Sequence, residues 1–390
     1  MAKGIEALVR PELLVWARRS AGYEIEVAAK KAQVKPDQLE HWERGEGRPS
    51  IPQLRKLGKV YKRSLAVFYL PHPPEDFQPM RDFRRLPGQI AGIQSPQLRF
   101  EIRRAHSRRE LALDLYESVE GPPPQFALRA ALADDPEDVG EYIRAALGVR
   151  YDEQITWTGL YEPFNRWRAA LERAGLLVFQ AVDIDVLEMR GFSISDTPLP
   201  AIVVNIKDSP RGRTFTMLHE LCHIMLREAG LCDIYEEFDR PPQEQRVEVF
   251  CNWVAGAALV PRQRLLEEYL VRSRQGRTEW PDEEIGALAA RYGTSREVVL
   301  RRLLMCDRTT EAFYRRKREQ FQEEYEDQLE QRAEGFAPPH TMAVSSAGPL
   351  LVQLILNSYH QGQITASDVS DFLEVRLKHL SKIEAAVLGR

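Results

Sequence analysis

Cysteine is scarce in this chain. Four occur in 390 residues, at positions 222, 232, 251 and 306, and no two form a C-x-x-C. That excludes a disulfide-stapled framework and a cysteine zinc ribbon, and it fits a reducing compartment. Long apolar runs are also missing. No stretch of 18 apolar residues occurs, and no apolar run follows a basic start. Neither a membrane-spanning helix nor a secretory leader is expected, so the protein is read as cytoplasmic with no membrane partner. Strand-like runs are few: "GLLVFQAV" (175–182) and "AIVVNI" (201–206) are the clear ones. Most other segments have helical apolar spacing and good helix formers. The fold class expected is mainly α with a small β-sheet, an α+β chain.

Charge is nearly balanced, 54 basic against 58 acidic residues, a formal −4. A protein that coats nucleic acid along its whole length is thereby excluded, but the balance hides local asymmetry. Residues 1–72 hold 14 Lys/Arg against 8 Asp/Glu, and residues 81–110 hold 8 Arg against 3 acids. Length allows two or three domains. Pro-rich breaks at 72–79, 121–125 and 334–340 help to divide the chain. The expected organisation is a helical domain over 1–75, a basic helical linker over 76–125, a domain over 126–275 that holds both strand-like runs and a helical C-terminal domain over 276–390.

The N-terminal segment has the spacing of a helix-turn-helix. Pro11 suits a first helical turn, and Leu13, Leu14, Trp16 and Ala17 form an apolar face. A short helix over 25–31 follows, with Ala28 and Ala29 small enough for close packing. Gln33-Val34 turns the chain, and Pro36 starts a helix that points Leu39 and Trp42 inward. This pattern resembles the XRE/Cro-type helix-turn-helix family. The matching residues are Ala17-Arg18, Gly22, Ala28, Val34, Leu39, Trp42-Glu43, Gly45, Pro49-Ser50, Leu54 and Leu57. The resemblance implies that the helix at 36–44 enters the major groove of DNA, and that the module dimerises. Lys35, Gln38, His41, Arg44 and Arg48 are then the expected DNA contacts, with Lys30 and Lys31 as further phosphate ligands. Asp37 and Glu40 on the same helix oppose phosphate, so docking to a protein is the competing reading.

"FTMLHELCHIML" (215–226) carries His219, Glu220 and His223 as H-E-x-x-H. Four residues along a helix bring two imidazoles to one face, where they can share a tetrahedral metal. Glu220 sits about 100° round the helix. It can reach a water on that metal and act as a general base. A third ligand must come from another element. In "EQRVEVFCNWVAGAALVP" (244–261), Glu248 is the strongest candidate and Glu244 the reserve. Asn252 lies one turn beyond Glu248, placed to hydrogen-bond a ligating histidine. The strand-like "AIVVNI" upstream is expected to add an extended peptide by backbone pairing. An oxyanion-stabilising donor is expected from among Tyr235, Arg246 and Arg211.

The stretches "AIVVN", "FTMLHELCHIML" and "EVFCNWVAGAALVP" resemble the ImmA/IrrE family of metallo-endopeptidases. The resemblance implies a zincin-like metallopeptidase domain, Zn2+ held by His219, His223 and Glu248, and Glu220 as catalytic base. It also implies a narrow protein substrate, such as a transcriptional repressor or an antitoxin-like partner, cleaved in a stress or regulatory response. Two positions depart from the family pattern. Phe250 stands where a second acid is frequent, and Cys222 where Gly or Ala is usual; neither is a proposed ligand. The alternative reading is a DNA-binding regulator whose peptidase-like domain senses a signal without turnover.

Toward the C-terminus, "RYGTSREVVLRRLL" (291–304) reads as a small helix pair in which Ser295 caps a helix with Val298, Val299 and Leu303 facing inward. The segment 313–334 reads as a charged helix with an apolar stripe of Phe313, Phe321 and Tyr325. Thr365 to Asp368 supply caps for a later helix.

Overall fold

The structure is a computed structural model that describes residues 5–74, 94–227, 231–232, 242–274, 276, 278–331 and 337–388. The described residues up to 104 form one compact unit, and those from 105 onward form a second. The expected break at 334–340 lies partly outside these residues, as does most of 72–79.

The first unit contains α1 (Pro11–Ser20), α2 (Ile25–Ala32), α3 (Pro36–Glu43), α4 (Ile51–Tyr61) and the first turns of α5 (Pro96–Leu115). Pro11 and Pro36 occupy first turns, where the missing N–H costs nothing. Gln33 ends α2 in the left-handed region at φ 58°, and that reversal sets the turn into α3. Leu13, Leu14, Ala28, Leu39, Trp42, Leu54 and Leu57 are buried. Arg18 ties α1 to α3, donating to both carboxylate oxygens of Glu43 at 2.8 and 2.9 Å. Glu43 is therefore spent on holding the fold together.

The second unit begins with the rest of α5, then α6 (Pro136–Leu147), α7 (Tyr151–Gln154) and α8 (Glu162–Arg173). Next come β1 (Leu177–Ala181), β2 (Gly191–Ile194), β3 (Ala201–Asn205), α9 (Pro210–Met225), β4 (Leu231–Cys232) and α10 (Pro242–Leu259). α11 (Arg262–Glu267), α12 (Tyr269–Arg272), α13 (Asp282–Tyr292), α14 (Arg296–Met305) and α15 (Glu311–Gln331) continue the chain. It closes with α16 (Pro339–Ala347), α17 (Pro349–His360), α18 (Ala366–Phe372) and α19 (Leu380–Leu388). The chain is thus mainly helical with one small sheet. Ser295 caps α14 by accepting from Val298 N at 3.2 Å, and Thr365 and Asp368 cap α18 reciprocally.

Strand order in the sheet is β1-β3-β2-β4. β3 pairs parallel with β1 along its full length and antiparallel with β2 from Ala201 to Val204. The expectation that "AIVVNI" adds a peptide is therefore corrected: both edges of β3 are already occupied. Strand β2 lies next to the outside, and β4 pairs with only Gly191 and Phe192 of it. At the other end, β1 is covered by the end of α16. Ser346 Oγ donates to the Gln180 carbonyl at 3.1 Å, and Gln180 Nε2 donates to the Ser345 carbonyl at 3.0 Å. Gly348 follows at φ 79°, so close that a Cβ there would lie 2.4 Å from the Val178 carbonyl oxygen. Only glycine tolerates both the angle and the approach.

α9 rests on β2 and β3, and α10 packs against both α9 and α6. Ser209 caps α9, accepting from Gly212 N at 3.0 Å, with Pro210 in the first turn. α6 meets α10 at Gly140, where a Cβ would lie 2.7 Å from Ala257 Cβ. Small residues on both helices allow that approach. Glu137 of α6 then locks α10 to α14. It accepts from Trp253 Nε1 at 3.0 Å and from both terminal nitrogens of Arg302 at 2.6 and 2.7 Å. Arg302 also donates to the Val260 carbonyl at the end of α10.

Candidate metal centre

α9 is buried on every side from Arg213 to Met225, and that burial includes its polar residues at 219, 220 and 223. His219, Glu220 and His223 are completely buried, and Glu248 and Asn252 on α10 are nearly so. Burying such groups is costly unless each finds a partner. Their geometry answers that need. His219 Nε2 and His223 Nε2 lie 3.1 Å apart. Glu248 closes the triangle, with Oε2 at 3.3 Å from His219 Nε2 and Oε1 at 3.3 Å from His223 Nε2. Among the described residues, this is the group of His, Cys, Asp and Glu side chains able to hold a metal ion.

The donor set fits a small divalent cation. Two nitrogens and a carboxylate suit zinc, and bonds of about 2.0–2.1 Å in a tetrahedral shell place neighbouring donors about 3.3 Å apart. The triangle has that size. Both Nε2 atoms and both oxygens of one carboxylate thus converge on a single point, as ligands of one ion do. Charge points the same way, since two carboxylates, Glu220 and Glu248, are sunk beside imidazoles in one apolar pocket.

The titration shifts register this crowding. Burial alone would raise Glu248, but the charge of His223 and hydrogen bonds from both imidazoles hold it well below the usual carboxylate range. Burial works to lower His223, yet Glu248 carries it up to about 9. Burial raises Glu220, against the pull of His223, His219 and Ser193. A cation at the centre would reverse the histidine shift, since metals bind the neutral ring.

Strand β2 shapes the space around Glu220. A Cβ on Gly191 would fall 3.3 Å from Glu220 Oε1 and 2.5 Å from Thr216 Cγ2. Ser193, two residues on and on the same face, is wholly buried beside Glu220. Neither Ser193 Oγ nor either Glu220 oxygen makes a well-formed hydrogen bond among the described residues. The sequence pattern did not single out β2, which is four residues long and lacks alternation. Asn205 anchors this region. Its Nδ2 donates to the Ile184 and Met189 carbonyls at 3.2 and 2.8 Å, fixing the loop that leads into Gly191.

The remaining expected residues fall as follows. Asn252 lies one turn beyond Glu248 on α10. The Glu244 side chain and Tyr235 lie outside what the structure describes. Of the other oxyanion candidates, Arg246 is exposed and Arg211 half-buried in the first turn of α9. Cys222 is a core residue. In the first unit Lys35, Gln38, His41, Arg44 and Arg48 are all exposed on or beside α3. Two of them are tethered in a way the spacing did not reveal: Glu46 lies 3.0 Å from His41 Nδ1 and 3.4 Å from Arg44 Nε.

Comparison with known proteins adds two matches. Residues 172–304 match the peptidase family described as the IrrE N-terminal-like domain. Residues 14–68 match the helix-turn-helix family. The chain carries a metallopeptidase-family domain and a helix-turn-helix domain. The first match encloses β1 to β3, α9, α10 and the whole donor triangle. A curated relative, the radiation response metalloprotease IrrE of Deinococcus deserti, is 33% identical over 73 residues, covering 18% of this chain. Those residues span 26% of that protein, about a quarter of its length. A metal ion is implied by the family and matched by the donor set. No helix among the described residues is long and apolar enough to cross a membrane.

Proposed function

We propose that this protein is a zinc-dependent endopeptidase, coupled to a DNA-binding helix-turn-helix, that cleaves a specific regulatory protein in the cytoplasm. The observation that carries the reading is the buried triangle of His219, His223 and Glu248 with Glu220 beside it. A repressor or antitoxin-like partner is the proposed substrate and a stress response the setting; the radiation response named for the Deinococcus relative supports that setting.

His219, His223 and Glu248 would hold the ion through three donors. A bound zinc ion would polarise the scissile carbonyl and acidify the attacking water. Glu220 takes the proton of that water on a carboxylate oxygen and returns it to the leaving nitrogen. Its burial favours the first transfer, because a raised carboxylate is the stronger base toward that water. Asn252 is proposed to steady a ligating imidazole. An extended substrate has backbone partners available at Ser193 and Ile194, whose strand pairing among the described residues is on the β3 side alone. In the first unit Lys35, Gln38, His41, Arg44 and Arg48 are the proposed DNA contacts.

Metal analysis and a Glu220→Gln variant test the reading together. Wild type and variant should both purify with about one zinc per chain, and only wild type should generate new protein N-termini in cells. Equal N-terminal profiles would leave a DNA-binding regulator without turnover. Absence of bound metal in both proteins would remove the peptidase reading.

A further inference from the structure

The basic residues at the start of α5 have no part in the reading above. The helix-turn-helix match ends at residue 68, yet the first unit includes α5 as far as Arg104. There Phe100 is buried, with its ring 6.2 Å from that of Tyr23. Cations gather on these rings. Lys62 Nζ and the Arg103 guanidinium each lie 4.9 Å from the Phe100 centroid. Lys31 Nζ is 5.7 Å from Tyr23, and Arg63 is 4.4 Å from Trp16. Arg99, one turn before Arg103, donates to the Arg19 carbonyl at 3.0 Å, and Arg103 to the Tyr61 carbonyl at 3.0 Å.

The manner of holding matters. A ring face or a carbonyl oxygen orients a cation without cancelling its charge, whereas a carboxylate cancels it. Lys31, Lys62, Arg99 and Arg103 make no ion pair among the described residues. The nearby acids do little to offset them. Glu101 is engaged by Arg104 at 2.7 Å, and Glu24 is exposed beside Tyr23. Burial, and after it the neighbouring Arg63, lowers Arg103 to about 10. Capping of helix ends accounts for Arg99 and Arg103 taken singly. It does not account for Lys31 and Lys62, nor for the shortage of acids beside them among the described residues.

We propose that this cation–aromatic ridge is a second phosphate-gripping surface of the first unit, in which Arg99 and Arg103, beyond the helix-turn-helix match, extend the grip of Lys31 and Lys62 within it on the backbone of duplex DNA. The proposal rests on DNA being the partner of that unit. Ordered cations release counterions from the duplex while losing little side-chain freedom themselves.

Fluorescence anisotropy of the full chain with a random-sequence 30-base-pair duplex, titrated across salt concentrations, tests it. The slope of log affinity against log salt should become shallower by about 2 in Arg99→Gln/Arg103→Gln, since each phosphate contact contributes about 0.9. Lys31→Gln/Lys62→Gln, which leaves both carbonyl contacts in place, should shift the slope similarly without changing the thermal midpoint. Unchanged slopes in both variants, with wild type still binding, overturn the ridge and leave the α3 reading standing. No duplex binding by wild type at low salt overturns both. Vesicles rich in phosphatidylserine or single-stranded RNA bound in place of the duplex also overturn it.

Discussion

Gly191 of β2 lies against Glu220 of α9 so closely that the first carbon of any side chain there would press on the helix. The nearer obstacle is Thr216, whose Cγ2 would sit 2.5 Å from that carbon, with Glu220 Oε1 at 3.3 Å. Gly191→Ala is expected to lower stability by about 1–3 kcal/mol through overpacking and to reduce cleavage further by moving Glu220. Removing the opposing methyl in Gly191→Ala/Thr216→Ser should restore both. Urea midpoints and the cellular N-terminal profile check this, and a double variant no better than the single would show that Thr216 is not the obstacle.

Removing Glu248 should separate metal binding from folding. Glu248→Ala takes away one corner of the triangle, and the two remaining imidazoles cannot hold the ion firmly. Zinc content after dialysis should fall from about one per chain to a small fraction. EDTA should lower the thermal midpoint of wild type and leave that of the variant unchanged. A variant that keeps its zinc would point to a different ligand.

The Glu137–Arg302 pair predicts a large structural effect far from the chemistry. The Arg302 side chain is almost wholly buried and spends two nitrogens on Glu137. Glu137→Ala leaves that guanidinium without its carboxylate and Trp253 Nε1 without an acceptor. A loss of about 3–5 kcal/mol is expected. Glu137→Ala/Arg302→Met should recover much of it. Chemical denaturation of the two variants decides.

Glu172 should give the second unit a pH-dependent stability. Burial raises its carboxyl from 4.5 to about 7, against the pull of Arg168 and the backbone N–H of Leu350. The folded chain therefore keeps a proton that the unfolded chain gives up. Between about pH 4.5 and 7 the stability contributed by this group falls as pH rises, and the loss is complete above 7. Its size is up to about 3 kcal/mol. Urea midpoints at pH 5 and pH 8 should differ less in Glu172→Gln than in wild type. Equal differences in the two proteins would assign the dependence elsewhere.

Just past α3, Glu46 pairs with His41 and Arg44, and under the proposed DNA contact it would compete with phosphate for both. These are exposed pairs, worth about 0.2–1 kcal/mol. Glu46→Gln should therefore tighten duplex binding roughly twofold to fivefold at low salt. Weaker binding by that variant would count against α3 as the DNA-facing helix.

Much of the site could be read from residue spacing. The four-residue interval of His219 and His223, and the acid and amide four apart in an apolar helix, mark positions that helical geometry must bring to one face. The caps at Ser295 and Thr365 are similarly local. Pairing across long separations was not visible. Glu137 and Arg302 are 165 residues apart, and nothing local distinguishes either from a surface charge. The place of β3 was misread for the same reason. An apolar β-branched run shows that a strand is buried, but its neighbours decide whether it is an edge. The short "GFSI" of β2 has too few residues to signal its role beside Glu220.

The helix end that covers β1 makes the sheet one-sided. With Ser346 bonded to the Gln180 carbonyl and Gly348 packed over that of Val178, the outer row of β1 is withdrawn from pairing. Bare strand edges are where copies of a protein find each other and grow into ordered aggregates. Here the C-terminal helices deny that route on one flank, so protection against self-assembly of the second unit is written more than 160 residues downstream of the strand it protects.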